Sequence, residues 1–428
     1  MFLRQAGYAV LTQAVSSAAN FLISILMLRL LALDAFGYYF YLYLFASFAS
    51  AFTAAVTGSV YPICRPRMSR LARHYAAAYN ALNLVVIPLV VAVFTLAALL
   101  PVTPIGGVGP YHVVVFVAGL VLVDNIKLQG GAEGAHKAIF VHEVARQGAL
   151  VGLIALAAMT RHLELATLVL LHGATGLAAA LSLVVTLRLR VAFRRIGWVA
   201  RRHYAHARSL VPANLVSTLH ATAIQFLVAR EFGPQAVGIL RAAELPFNAL
   251  NPVKLSLALF LPGWIYRLEQ HPAPEKRRLL KRAAIIVAAL SLAAGLGIWA
   301  AAALALEILT LKPYPVELGL GYGIISAIMI MLVAMNYYLT VLDGAGLVLR
   351  QAVLGAVIAL STYFGAAPFI GHLAAPASLA ACMMAMTVYA AANLYRLAWQ
   401  GRHSARITPA VGDLGRSVAP QAAPPAAT

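Results

Sequence analysis

Charged residues are scarce in this 428-residue sequence, and acidic residues are the scarcest. Only 11% of the residues are charged, with 32 Lys and Arg against 13 Asp and Glu, whereas 62% are hydrophobic. So few charges cannot cover the surface of a soluble protein of this length. The composition therefore excludes an ordinary soluble domain and predicts many membrane-spanning helices.

Cysteine and enzyme motifs are almost absent as well. Cys64 and Cys382 are far apart in sequence and have no metal-ligand spacing, which excludes a disulfide framework and a zinc site. His142 precedes Glu143, but no second His follows at the spacing of a zinc protease. We therefore expect neither an enzyme nor a protein that needs a metal or cofactor.

Apolar runs long enough to cross a bilayer follow one another along the chain. A spanning helix needs about 20 predominantly apolar residues. The first run is too long for a signal-peptide core, so we predict that it is a retained helix. Twelve runs meet the length requirement: 7–31, 36–61, 76–101, 111–130, 144–160, 165–187, 209–230, 236–262, 283–310, 318–342, 348–371 and 374–396. We predict an all-α, polytopic membrane protein with about twelve transmembrane helices.

The basic residues fit one membrane orientation. If the N-terminus lies inside, all but six of the 32 Lys and Arg residues fall in inner loops, at inner helix ends or in the C-terminal tail. Lys and Arg accumulate on the cytoplasmic side of membrane proteins. We therefore predict that both termini are cytoplasmic.

An internal repeat relates the two halves of the chain. Residues 15–37 align with 216–238 at a constant offset of 201, and seven of the 23 positions are identical. The identical pairs are Val15/Val216, Ser16/Ser217, Ile23/Ile224, Leu26/Leu227, Arg29/Arg230, Ala35/Ala236 and Gly37/Gly238. Both copies cover the joint between the first and second helix of a six-helix set. The repeat thus predicts two similar lobes of equal orientation, related by an axis along the membrane normal.

These observations divide the chain into four parts. We expect an N-terminal six-helix lobe at 1–187, a basic cytoplasmic linker at 188–208 and a C-terminal six-helix lobe at 209–400. The Pro/Ala-rich segment 401–428 lacks apolar periodicity and is predicted to be a disordered cytoplasmic tail.

The linker alternates Arg residues with apolar ones such as Phe193, Trp198 and Tyr204. This pattern predicts an interfacial segment that contacts anionic membrane lipid. Nucleic acid is the competing partner for a basic run, but a short loop anchored at both ends does not favour it.

The repeated stretches carry a family resemblance. The segment MLRLLALDAFG at 27–37, followed by an aromatic second helix, and VAREFGPQAVGIL at 228–240 are similar to the start of each half of the oligosaccharide flippases. These Wzx-type polysaccharide exporters belong to the multidrug/oligosaccharidyl-lipid/polysaccharide exporter superfamily. Ala32 stands where that family usually has Gly, and Phe232 stands where it has Leu.

The resemblance implies a fold and a function. It implies a V-shaped pair of six-helix bundles that alternately opens to each side of the bacterial inner membrane. It also implies a substrate, an undecaprenyl-pyrophosphate-linked oligosaccharide such as an O-antigen, capsule or exopolysaccharide repeat unit, and glycan polymerase machinery as a possible partner.

The predicted eighth helix, 236–262, carries the most polar residues of any run. At helical spacing Arg241, Glu244, Asn248 and Asn251 share one face, and Lys254 adjoins it. Because intramembrane charges usually serve function, this stripe is the candidate substrate site, with Arg241 and Lys254 meeting phosphate or acidic sugars. In the alternative, Arg241 and Glu244 neutralise each other and Lys254 extends to the inner interface.

The predicted fourth helix ends in a second polar cluster. Asp124 and Lys127, like Glu133 and Lys137, have the spacing of ion pairs within one helix, which predicts a charge-balanced cytoplasmic end. Asp124 lies deepest and is the alternative candidate for coupling transport to an ion gradient.

Two further features have structural interpretations. The aromatic residues of the second helix, including Phe36, Tyr39 and Tyr41, are predicted to form an interfacial belt rather than a sugar-stacking surface. Arg29 and Arg230 are predicted to cap helix ends, and Gly37 and Gly238 to permit close packing.

Two other functions remain open at this stage. A cation-coupled multidrug exporter of the same superfamily would be expected to have an acidic cavity. A membrane-embedded glycan polymerase or ligase usually needs a sizeable outer loop, and every predicted outer loop here has about ten residues or fewer.

Overall fold

The computed structural model describes most of the chain, and every segment of regular structure in the described part is helical. The described residues are 2–58, 61, 65, 71–99, 108–160, 162–250, 261, 265, 268, 271–310, 315–343 and 345–399. Asn251, Lys254 and the predicted tail 401–428 lie outside them.

Six α-helices are described in the first half, each built on one predicted apolar run. They are α1 (Phe2–Leu30), α2 (Leu33–Thr53), α3 (Ala72–Leu99), α4 (Pro110–Ala132), α5 (His136–Met159) and α6 (Leu165–Thr186). A π-helical turn, Ala54–Gly58, extends α2.

The second half begins with two helical segments that meet at a kink, and we label them together as α7. The described helices of this half are α7 (Ile196–Glu244), α8 (Ala273–Thr310), α9 (Val316–Asp343), α10 (Ala345–Ile370) and α11 (Ala374–Trp399). The two segments of α7 meet at Gly233, where φ is 80° and ψ is 173°, which lies within the predicted joint 231–235 between the seventh and eighth helices. Glycine supplies this positive φ without a steric penalty.

The predicted eighth helix is interrupted in its first half. The α-helix ends at Glu244, and a 3₁₀ helix, Leu245–Leu250, follows it. Pro246 has no backbone N–H to donate to the carbonyl four residues earlier, which explains why the α-helix stops there. The regular α-helical spacing predicted for the stripe is therefore broken between Glu244 and Asn248, and Asn251 lies outside the described residues.

The predicted all-α, polytopic membrane architecture is confirmed. Among the described residues, nine helical stretches are long and apolar enough to span a membrane, and one of them, Leu347–Arg396, contains both α10 and α11. Large apolar side chains cover their outer surfaces, for example Leu89, Leu96 and Leu290, each exposed by 64–66%. Such a surface is stable only against lipid or other apolar groups.

The two halves use the same helix pairs for packing. In the first half α1 packs against α5, and α4 packs against α6. In the second half the first and fifth positions are taken by the segment of α7 before Gly233 and by α10, which are joined by a hydrogen bond from Tyr363 to Glu231. The fourth and sixth positions are taken by α9 and α11, which also contact each other.

The largest interface between the halves joins α2 to α7, where two glycines of the repeat lie side by side. A Cβ on Gly37 would lie 1.8 Å from the carbonyl oxygen of Pro234, and a Cβ on Gly238 would lie 2.5 Å from that of Leu33. Leu33 and Pro234 are themselves 201 residues apart, so this glycine contact is reciprocal, as two-fold related interfaces are.

Candidate functional site

A cavity of about 870 Å³ lies within the first half, among α1, α2, α4, α5 and α6. We call it the polar cavity, and its polar lining comprises Thr12, Gln13, Ser16, Asn20, Tyr43, Ser47, Ser50, Asp124, Lys127, His136, Arg146 and His172. These residues lie mainly in the helix portions nearest the α4–α5 turn, the end that the charge pattern predicts to be cytoplasmic. Hydroxyl and amide groups of this kind fix the orientation of polar ligands.

A buried carboxylate organises one wall of the polar cavity. The Glu143 side chain is 0% exposed, and its oxygens lie 2.5 Å from Lys127 Nζ and 2.8 Å from Arg146 Nη2. Gln147 Nε2 donates a hydrogen bond to it over 2.9 Å, and the Ser16 hydroxyl donates another. A buried charge is tolerated when it is paired and hydrogen-bonded, and this network ties α1, α4 and α5 together.

Asp124 adds a second carboxylate to the same cavity. Its Oδ2 accepts a hydrogen bond of 2.8 Å from the Ser50 hydroxyl of α2, and the residue is partly exposed. The polar cavity thus combines two cations, Lys127 and Arg146, with Asp124 in its lining, while Glu143 is covered by its partners.

The ion pairs predicted within the end of α4 are wrong. Lys127 pairs with Glu143 of α5 rather than with Asp124, and Glu133 pairs with Arg65 at 2.7 Å rather than with Lys137. Asp124 and Lys127 do share α4, but α4 ends at Ala132, so Glu133 and Lys137 do not share a helix. Packing supplies both observed partners from elsewhere in the chain.

Tyr61 joins the Arg65–Glu133 pair outside the membrane-spanning segments. Its hydroxyl donates a hydrogen bond to Glu133. Burial and the nearby carboxylate raise the pKa of this hydroxyl above its usual value.

The aromatic belt predicted for α2 is also wrong. Phe36, Tyr39 and Tyr41 are 0%, 3% and 8% exposed, because α2 is packed between α4 of its own half and α7 of the other. The Tyr39 hydroxyl lies 2.5 Å from Nδ1 of His172 on α6. Phe36 and Tyr39 belong to the hydrophobic core of the first half, and Tyr41 belongs to that of the second. The Tyr43 side chain lines the polar cavity.

Arg241 lies at the interface between the halves, and its guanidinium contacts side chains from both of them. Its Nη1 donates to Glu244 over 2.9 Å, and its Nη2 donates to Gln225 over 2.5 Å. Its guanidinium also lies 5.2 Å from the ring centroid of Phe40 on α2. These contacts favour the alternative in which Arg241 and Glu244 neutralise each other, and Arg241 does not line the polar cavity.

The other predicted site residues are dispersed. Asn248 is partly buried in the 3₁₀ helix that follows α7. Arg29 is exposed in the last turn of α1, and Arg230 is exposed three residues before the Gly233 kink. A role for these residues in substrate binding or helix capping stays a prediction.

The sequence contained a signal for the residues that were missed. Glu143, Arg146 and Gln147 are spaced at three and four residues, which places them on one helix face at the start of the predicted run 144–160. The positive-inside pattern counts Arg146 among the basic residues at inner helix ends, whereas the packing of α5 against α1 leaves it only 8% exposed.

The basic linker is partly helical and partly buried. The helix α7 begins at Ile196, and its Val199 packs against α3. His203, which belongs to the predicted linker, is 3% exposed, with Nε2 2.6 Å from the Tyr75 hydroxyl. The opposite face is exposed, as Tyr204 shows with 70% exposure.

Comparison with known proteins finds similarity in structure alone. No family model matches the sequence, and no curated protein matches it. Among solved structures, the lipid II flippase MurJ in an inward closed conformation superposes with a TM-score of 0.66 and 6% identity, over 92% of this chain and 87% of that one.

Multidrug transporters are similar as well. An outward-facing multidrug resistance MATE family transporter of the MOP superfamily matches with a TM-score of 0.57 and 10% identity, over 91% of this chain and 95% of that one. A mutant of the Vibrio cholerae MATE transporter VcmN matches with a TM-score of 0.56 and 16% identity, over 91% and 96%. The chain therefore has the fold that these flippase and MATE structures share.

Proposed function

We propose that this protein is a transporter that moves an undecaprenyl-pyrophosphate-linked oligosaccharide, such as an O-antigen, capsule or exopolysaccharide repeat unit, from the cytoplasmic to the periplasmic leaflet of a bacterial inner membrane. Both termini are cytoplasmic in this proposal, and glycan polymerase machinery receives the product. The observation that carries the proposal is the polar cavity inside a fold shared with a lipid II flippase.

The lining of the polar cavity suits a glycan joined to phosphate. Its hydroxyl and amide side chains, such as Gln13, Asn20 and Ser47, offer donors and acceptors to sugar hydroxyls. Lys127 and Arg146 supply positive charge for the pyrophosphate, since charge-assisted hydrogen bonds to phosphate oxygens are among the strongest in proteins. A volume of about 870 Å³ is within the range of ligand pockets.

The contacts between the halves support alternating access. The glycine contact of Gly37 and Gly238 closes the interface near the start of α2, the end predicted to be periplasmic. The polar cavity lies nearer the opposite end. In this proposal the described conformation loads substrate from the cytoplasmic side, and separation of α2 from α7 opens the other side.

Obstruction of the polar cavity tests the proposal. Ala51 lines the cavity on α2, and we expect Ala51→Leu to fill it without changing a charge. Ala145 is exposed on the outer surface of α5, so Ala145→Leu is the matched control. Translocation of a fluorescent undecaprenyl-pyrophosphate-linked oligosaccharide is measured in proteoliposomes containing the full chain.

We expect Ala51→Leu to reduce the translocation rate at least about ten-fold, because a single misplaced contact can cost that much, and Ala145→Leu to leave it unchanged. Equal rates in the two variants, with equal melting temperatures, would contradict the cavity as the substrate path. No translocation by the wild-type protein would contradict the proposed substrate.

A cation-coupled multidrug exporter is the second candidate, and Asp124 is the observation that favours it. This carboxylate lines the polar cavity and accepts a hydrogen bond from Ser50, as a group that binds a coupling cation could. In the same proteoliposomes, export of a cationic dye that depends on an ion gradient and is lost in Asp124→Asn would favour this candidate.

A further inference from the structure

A second cavity, of about 420 Å³, lies where α3 begins and α4 and α6 end. Four arginines line it: Arg65 and Arg73 precede or begin α3, and Arg188 and Arg190 belong to the basic linker. We call it the arginine pocket. It is separate from the polar cavity, with which it shares no lining residue.

The charge of the arginine pocket is unbalanced. Glu133 is the one acidic residue of its lining. Its carboxylate already accepts two hydrogen bonds from Arg65, of 2.7 and 2.8 Å. Arg73, Arg188 and Arg190 form no ion pair with any residue that the structure describes. Within the described part of the chain, three guanidinium groups thus surround one space without a counter-charge.

An orphaned amide points to a ligand in the same place. Gln129 of α4 lines the arginine pocket and is only 2% exposed, yet its Nε2 has no hydrogen-bond partner in the described structure. A buried donor without a partner costs about 1–3 kcal/mol, so native proteins usually pair such groups. An acceptor oxygen in the pocket would satisfy this amide.

The linker is held in place at the pocket by its backbone. Asn80 Nδ2 donates a hydrogen bond of 2.7 Å to the carbonyl oxygen of Arg190, and the Ala192 N–H donates one of 3.0 Å to the carbonyl oxygen of Ala77. These bonds attach the linker to α3 and keep Arg188 and Arg190 beside the pocket. The backbone that carries these two exposed arginines is therefore positioned before any ligand arrives, which lowers the entropic cost of binding.

We propose that the arginine pocket binds a phosphate group, supplied by the headgroup of an anionic membrane lipid. Guanidinium groups form paired hydrogen bonds to phosphate oxygens, and Gln129 would donate a further one. Exposed apolar residues adjoin the pocket on the linker, with Val191 exposed by 47% and Phe193 by 59%. Basic pockets bordered by apolar side chains at a membrane boundary are suited to anionic lipid headgroups.

Bound lipid would join the linker to the first half of the chain. The pocket contains residues that precede α3, residues of α3 and α4, and the linker that leads into α7. A phosphate held by Arg73, Arg188 and Arg190 would therefore fasten the connection between the two halves. This role does not depend on which substrate the protein transports.

Thermal unfolding of the full chain in lipid-free detergent tests the site. The melting temperature is measured against increasing phosphatidylglycerol, with phosphatidylcholine and inorganic phosphate as separate arms. The test variant is Arg188→Gln with Arg190→Gln. The control is Arg194→Gln with Arg195→Gln, which removes the same charge from exposed positions of the same linker outside the pocket lining.

We expect phosphatidylglycerol, and not phosphatidylcholine, to raise the melting temperature of the wild type. The phosphatidylglycerol concentration that gives half of this rise should increase about ten-fold or more in the R188Q/R190Q variant and less than about two-fold in the control. Only the R188Q/R190Q variant loses charge-assisted hydrogen bonds to the phosphate. Equal loss in both variants, or no effect of phosphatidylglycerol, would overturn the site. An equal effect of inorganic phosphate would overturn the lipid as its source.

A second variant distinguishes specific binding of the headgroup from a general effect of positive charge. Gln129→Met keeps the volume and the net charge but removes the amide donor. It should weaken the response to phosphatidylglycerol without lowering the melting temperature of the lipid-free protein, because the orphaned donor does not stabilise the empty form. An unchanged lipid response in this variant would contradict the assigned role of Gln129.

Discussion

Replacement of Gly37 by alanine should loosen the joint between the two halves. The new Cβ would lie 1.8 Å from the Pro234 carbonyl oxygen, far inside ordinary van der Waals contact. Because backbone atoms cannot rotate away as a side chain can, α2 and α7 must separate by roughly 1.5 Å to accept it. Overpacking of this kind costs about 1–3 kcal/mol and sometimes more.

The symmetric change gives a graded comparison. In Gly238→Ala the nearest atom is the Leu33 carbonyl oxygen at 2.5 Å, so the melting temperature should fall less than in Gly37→Ala. One separation of the helices makes room for both methyl groups, so the double variant should cost less than the sum of the two single variants.

Gly148→Ala on α5 is the matched control, because no atom lies within 4 Å of the added Cβ. It should be neutral or stabilising by up to about 1 kcal/mol, the helix-propensity gain of alanine over glycine. Melting temperatures are measured on full-length protein in detergent. If Gly37→Ala were as stable as Gly148→Ala, the reciprocal glycine contact would be refuted.

Three other changes probe the hydrogen bonds and ion pairs. Glu143→Gln should lower the stability by about 3–5 kcal/mol, because it leaves buried cations without a counter-charge, and a second change, Lys127→Met, should recover part of the loss in the same melting experiment. Arg65→Gln should cost less than about 1 kcal/mol, since Arg65 and Glu133 are 26% and 30% exposed; a larger loss that persists at high salt would contradict this view. Tyr39→Phe should cost about 1 kcal/mol through loss of its hydrogen bond to α6, and an unchanged melting temperature would argue against that bond.

The spacing of charges along one helix predicted the wrong partners for Lys127 and Glu133. Lys127 shares α4 with Asp124 but pairs with Glu143 of α5. Glu133 follows the end of α4 and pairs with Arg65, which precedes α3, rather than with Lys137 of α5. A sequence contains no direct record of which helices pack together. The position of the polar cavity, which depends on five helices, was missed for the same reason.

Proline and glycine mark two interruptions of helix in the second half. Pro246 lies where the α-helix ends, as its missing N–H predicts. The cluster at 231–235 indicated a joint between two helices, and the two segments of α7 meet there, at Gly233. Glycine supplies the positive φ of 80° at this joint without a steric penalty.

The sequence by itself determined the all-α, polytopic architecture and the equivalence of Gly37 and Gly238. Both follow from local properties, since apolar length decides whether a helix can span a membrane and a repeat needs only an alignment. Tertiary structure alone decided that these glycines contact each other and that Glu143 organises one wall of a cavity with Lys127 and Arg146. It also decided that the Arg241 guanidinium already binds Glu244. Those outcomes depend on the relative placement of separate helices, which is set by packing over long sequence distances.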